Sequence, residues 1–145
     1  MSAGTGVYHS EYNKNRDQEV KFLQIWMFPN KRNVEPRYDQ ITLEGGKMKN
    51  ALQQVLSPNP DDEGVWAHQN AWFHIGELEA GTKLTYELKD PSNGVYAFVL
   101  GGELNIGDQA LSNRDGYGLW DTNSFDITAN SNARILLMEV PMNLN

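Results

Sequence analysis

Three histidines, His9, His68 and His74, are the side chains that titrate near neutrality in this sequence, and it contains no cysteine. That absence excludes thiol nucleophiles, disulfides and cysteine-based zinc sites, and it agrees with a reducing compartment. His68 and His74 share one face of the period-two run Trp66–Ile75 (WAHQNAWFHI). Six residues of extended strand separate them by about 20 Å, too far to chelate one ion. Each therefore reads as an imidazole hydrogen-bonded to backbone or to Asn70. A second set, Trp66, Trp72, Phe73, Tyr86, Tyr96, Phe98 and Trp120, has the make-up of an aromatic wall for a flat ligand, or of a packed core. Of these, Trp66, Tyr86, Tyr96 and Trp120, together with His68, are the candidate pocket residues. Asp61-Asp62-Glu63, beside Pro58 and Pro60, lacks the glycine-bearing pattern of a calcium loop and reads as a solvated turn. There is no nucleophile elbow, phosphate-binding glycine loop or basic aromatic patch.

The elements that must carry these residues are short and closely punctuated. Clusters of Gly, Pro, Asn and Asp recur at 29–30, 44–46, 58–64, 80–81, 90–94, 101–102, 107–108 and 113–118. The intervening segments have the length and spacing of strands in a sandwich or barrel. Phe22–Phe28 (FLQIWMF) is nearly continuous in apolar character and predicts a strand buried on both faces. Downstream, strands are expected at 66–75, 83–88, 95–100, 103–106, 109–111, 118–120, 125–129 and 134–140. Gly107-Asp108 supplies a tight hairpin between two of them. The only helical pattern is Gly46–Leu56, where Met48, Leu52, Val55 and Leu56 form one stripe; its weak caps fit an irregular excursion equally well. No repeat, low-complexity tract or long linker divides the chain.

The formal charge of −7 and pI near 4.8 argue against nucleic acid or an anionic membrane as partner, since both select clustered positive charge. No apolar run approaches the ~20 residues of a membrane span, and nothing near Met1 reads as a signal peptide. A cytoplasmic location is the expectation. A domain of 145 residues buries roughly 68–70% of its unfolded surface, enough for a core without staples.

Three stretches resemble the pirin-like family of two-cupin proteins, which includes bacterial quercetin 2,3-dioxygenases. The first is MSAGTGVYHSEYN (Met1–Asn13), followed by FLQIWMFPN (Phe22–Asn30) and by Glu35-Pro36-Arg37-Tyr38-Asp39-Gln40, similar to a P-x-Y-x-Q segment. The second is His68-Gln69-Asn70-Ala71 with Gly76–Gly81. The third runs Tyr96–Leu104, then Asp115-Gly116 and Leu136–Pro141. Together they cover almost the whole chain in order, yet they match only the second half of such a protein.

The resemblance implies an all-β cupin, a double-stranded β-helix or jelly-roll barrel with at most one short helix. Residues 1–21 would be the end of a first cupin and a linker, and 22–145 a C-terminal-type cupin, so that Met1 resembles an internal methionine. In the family, the H-x-E pair matching His9 and Glu11 supplies two of four metal ligands in the first cupin. The H-x-H pair that completes the set has no counterpart here. Around Lys83–Phe98, where a cupin's own H-x-H would fall, there is no histidine. A divalent metal (Fe, Ni, Cu, Mn or Zn) is thus expected only if the missing ligands are supplied, and the chain alone is not expected to be an active dioxygenase. The alternative is a non-catalytic module that binds a small aromatic molecule or a regulatory protein partner. Expected partners are an upstream cupin half or a second copy. The latter would be a homodimer exchanging Met1–Asn13 or Phe22–Phe28 to cover unpaired edges.

Overall fold

A computed structural model describes residues 1–143. Regular structure begins at Gly45 with α1 (Gly45–Met48) and continues through ten strands: β1 (Gln53–Ser57), β2 (Val65–Trp66), β3 (Trp72–Leu78), β4 (Lys83–Glu87), β5 (Asn93–Gly101), β6 (Leu104–Ile106), β7 (Gln109–Leu111), β8 (Gly116–Leu119), β9 (Ser124–Ala129) and β10 (Ala133–Pro141). They form a six-stranded sheet ordered β2-β1-β3-β10-β5-β8 and a four-stranded sheet ordered β4-β9-β6-β7. This is the expected all-β jelly roll with one short helix.

Strand alternation sorts two hydrophobic layers. Between the sheets lie Val95, Ala97, Val99, Leu104, Ile127, Ile135 and Leu137, all buried. On the other face of the large sheet, Phe73, Ile75, Leu136 and Met138 pack with Met48 and, at the margin, with Met27, Leu43, Val55 and Leu56. β10 thus carries apolar residues at both phases because both its faces are covered. The β6–β7 hairpin turns on Gly107 (φ 55), with Ile106 opposite Gln109. Its two-residue loop puts glycine at the first central position, as a type II′ turn requires.

Three expectations change. Phe22–Phe28 forms no strand. Only its end is stitched to the barrel, by Gln69 Nε2 donating to Phe28 O (2.8 Å) and Asn30 N donating to His68 O (2.7 Å). The segment pairs with no strand of either sheet among the described residues, and leaves Phe22 68%, Trp26 89% and Phe28 81% exposed. The helix expected over 46–56 is a single turn, because Glu44 provides no side-chain cap and Asn50 turns to φ 52. Gln53–Ser57 instead joins β3 in an antiparallel ladder, with Leu56 opposite Phe73. The run 66–75 is also not one strand: 67–71 turns, separating β2 from β3.

Candidate functional site

Residues 1–43 contain no regular element of their own and lie as an arm against the barrel. Backbone hydrogen bonds between Ser2 and Arg37 and from Thr5 N to Val34 O tie the arm to itself. Arg37 ties it to β2, donating from Nη1 to Trp66 O at 2.6 Å and from Nη2 to Asp39 Oδ2 at 3.0 Å. Its guanidinium sits 4.0 Å from the centroid of the Trp66 ring, a cation–π contact with the better part of the side chain desolvated. The His68 ring meets Trp66 edge-on, with centroids 4.8 Å apart and planes at 83°.

Arm and barrel enclose a cleft of about 870 Å³, lined among others by His9, Glu11, Trp26, Arg37, Trp66 and His68. His9 Nε2 lies 3.7 Å from Glu11 Oε1, and both side chains are about half exposed. An imidazole nitrogen and a carboxylate oxygen suit a borderline divalent ion. Two donors do not enclose one, however, and among the described residues no cluster of three or more His, Asp or Glu could hold a metal. By themselves His9 and Glu11 are one edge of a site.

The candidate pocket residues are not brought together. Trp66 and His68 face the cleft, Tyr86 is buried inside the barrel, and Tyr96 and Trp120 are exposed on its exterior. His74 is separated from His68 by the turn and lies buried within the barrel. The Asp61–Glu63 turn is exposed, with Glu63 pairing to Lys47 Nζ at 2.9 Å. That ion pair, together with a hydrogen bond from Gln53, holds the Glu63 carboxyl below its ordinary range.

Inside the barrel a polar network replaces what would otherwise be core. Glu139 on β10 is fully buried. It accepts four hydrogen bonds, two at each oxygen: from Tyr86 Oη (2.8 Å) and Lys89 N (2.9 Å), and from Asp90 N (2.9 Å) and Asn93 Nδ2 (2.9 Å). Each lone-pair direction of the carboxylate is used, which is the condition for burying such a group without a counter-ion. Tyr86 Oη, its proton given to Glu139, lies 3.3 Å from His74 Nδ1, which selects the Nδ1–H tautomer of a neutral imidazole. Burial lowers the His74 pKa to about 4, reinforced by the charge of Lys89 and opposed by Glu139. Burial and then the bond to Glu139 push the Tyr86 hydroxyl up. At neutral pH His74 and Tyr86 are both neutral. The cluster ties the β4–β5 connection to β10 and leaves no coordination position open.

Residues 54–140 match the sequence family described as the quercetinase C-terminal cupin domain. The chain belongs to that family. Quercetin 2,3-dioxygenase of Escherichia coli strain K12 is 31% identical over 141 residues, which make up 97% of this chain and 59% of that protein. The structure of YhhW from Escherichia coli superposes with a TM-score of 0.74 at 25% identity, covering 83% of this chain and 50% of that one. Bacterial pirin YhhW in complex with nickel(II) gives 0.70 at 26%, covering 78% and 47%. This pirin-like cupin is therefore related to the quercetin 2,3-dioxygenases and corresponds to the C-terminal half of a bicupin. It spans about three fifths of the length of the curated relatives it matches. Among the described residues, no helix is long and apolar enough to cross a membrane.

Proposed function

We propose that this pirin-like cupin serves as the second half of a metal-dependent quercetin 2,3-dioxygenase and is catalytically silent by itself. In this reading, residues 1–21 end the first cupin, residues 22–145 form the C-terminal cupin, and an upstream half, working in the cytoplasm, supplies the ligands absent here. The observation that carries it is the isolated pair His9 and Glu11, 3.7 Å apart at the mouth of a cleft with no third donor among the described residues. The exposed Phe22, Trp26 and Phe28 support it further, since unpaired apolar chain at this density is covered when a partner is present. Where no upstream half is supplied, a second copy takes that surface and the chain is a homodimer.

Quercetin-driven oxygen uptake tests the proposal. The chain alone, offered iron, nickel, copper, manganese or zinc in turn, should give no uptake above the metal blank. The same chain fused behind the N-terminal cupin of the Escherichia coli relative should consume oxygen, and His9→Ala in the fusion should abolish it. Turnover by the isolated chain, or an active His9→Ala fusion, would overturn the proposal.

A further inference from the structure

The two sheets of the barrel present four edge strands, and three of them are guarded. β2 is two residues long, and Arg37 occupies the Trp66 carbonyl on it. β4 carries Lys83 and Glu87, both exposed, and β7 is only three residues long. Charge and shortness are ordinary means of stopping one sheet edge from pairing with another. β8, the outer strand of the six-stranded sheet, has neither a charge nor a proline in its sequence Gly116-Tyr117-Gly118-Leu119.

The backbone of β8 is open as well. Val99 on β5 donates to Asp115 O and accepts from Arg114 N, so alternate residues of β5 direct their polar groups toward β8. Ala97 and Val95 follow in that phase and lie opposite Tyr117 and Leu119. Gly116 and Gly118 therefore turn their N–H and C=O groups to the free edge, and both residues are exposed. Neither has a side chain to hinder approach. Neighbouring rings lie across them instead: a Cβ at Gly116 would meet the Tyr96 hydroxyl, and one at Gly118 would touch the Trp120 ring at 3.5 Å. Tyr96 is 46% and Trp120 60% exposed, so apolar surface flanks the open edge. Charge supplies a direction. Arg114 precedes the strand and Asp121 follows it, both exposed and neither in an ion pair among the described residues. Asp115 is turned back into its own loop, accepting from Ser112 N at 2.8 Å. An edge with a free cation at one end and a free anion at the other complements a copy of itself only when the two run antiparallel.

We propose that β8 is a docking edge for a second copy of this chain, the two strands pairing antiparallel about a dyad at Tyr117. Gly116 of each copy then lies opposite Gly118 of the other, and each such pair exchanges both its N–H···O bonds. Arg114 of each copy meets the Trp120–Asp121 end of the other, an indole face and a carboxylate together. The two six-stranded sheets become continuous across the dyad. β8 and β2 are opposite edges of that sheet, and Arg37 ties the arm at β2. The association is therefore separate from the face assigned to the upstream half and does not rest on the dioxygenase reading.

Light scattering and residue-resolved amide hydrogen exchange on the full chain test it together. So small an interface predicts a dissociation constant on the order of 100 µM. The scattering mass should then climb toward that of a dimer as the protein is concentrated. Between about 50 µM and about 1 mM, exchange at the Gly116 and Gly118 amides should slow about threefold, because only pairing at this edge gives them acceptors. Gly118→Pro removes an edge-facing N–H, a change that an edge strand tolerates. Arg114→Asp, at an exposed position, sets like charges against each other across the dyad. Each variant should raise the dissociation constant about tenfold. A mass that stays monomeric at every concentration, an association that leaves the Gly116 and Gly118 amides as fast as in dilute protein, or undiminished association in either variant would each overturn the proposal.

Discussion

Replacing Glu139 by glutamine changes one atom in the barrel and tests the account of its interior. The carboxylate takes two donors at each oxygen, and an amide can keep only one of those oxygens. If the new N–H₂ faces Tyr86 and Lys89, the tyrosine hydroxyl can turn to accept, but the Lys89 amide is left without an acceptor. If it faces Asp90 and Asn93, the Asn93 amide can flip to accept through Oδ1, but the Asp90 amide is left without an acceptor. Either arrangement orphans one part-buried N–H, at about 1–3 kcal/mol, and strips the charge from the remaining bonds. The sum is about 3 kcal/mol. Urea unfolding at pH 7 should show that loss as a lower midpoint with an unchanged slope, and melting should fall by on the order of 10 °C. Hydrogen exchange should quicken at the Lys89 and Asp90 amides ahead of the rest of the barrel. A variant within 0.5 kcal/mol of the parent, or one whose Lys89 and Asp90 amides stay as protected, would refute this account of how Glu139 is held.

Other outcomes follow from the same geometry. Tyr86→Phe removes one donor from Glu139 and the oxygen facing His74 without orphaning a backbone amide, so urea unfolding should register about 1.5–3 kcal/mol. For His74 the folded pKa, about 4, lies below the ordinary 6.5. Between those values the unfolded chain binds a proton that the folded chain refuses. Nothing is lost above pH 6.5; stability then declines as the pH falls and levels off below about 4, at a total on the order of 3 kcal/mol. Urea midpoints of parent and His74→Asn should diverge in slope over that window, and parallel slopes would contradict the buried neutral imidazole. Gly102 adopts φ +79, and a Cβ there would overlap the Asn132 carbonyl oxygen. Gly102→Ala should therefore cost about 2 kcal/mol or more in the same measurement.

Strands β4 to β7, β9 and β10 were legible because Gly, Asn and Asp punctuation and residue alternation agree there, and local turn chemistry sets their ends. The Trp66–Ile75 run misled because period two persists through a turn: alternation in side-chain type says nothing about whether the backbone has a partner. Phe22–Phe28 misled for a related reason. Its composition suits burial, yet among the described residues it pairs with no strand of either sheet. The His9–Glu11 pair was visible only through its family pattern. Arg37 enters the sequence pattern only as a variable position of the Pro36–Gln40 segment, since a lone arginine becomes significant only when the fold lays it over Trp66. Glu139 carries a signal in the strand pattern itself. It falls in phase with Ile135 and Leu137, both fully buried, so alternation alone places an acid inside the barrel. Finding its partners, Tyr86, Lys89, Asp90 and Asn93, needed the fold, because they lie 46–53 residues away.

The central claim, that this cupin carries half of a metal site, is tested most directly by titrating nickel(II) calorimetrically. The isolated chain should take up no stoichiometric ion. Fused behind the N-terminal cupin of the Escherichia coli relative, it should bind one ion per chain, and His9→Ala with Glu11→Ala should abolish that binding. A single tight site in the isolated chain, or a fusion that binds nickel equally well without His9 and Glu11, would contradict the claim.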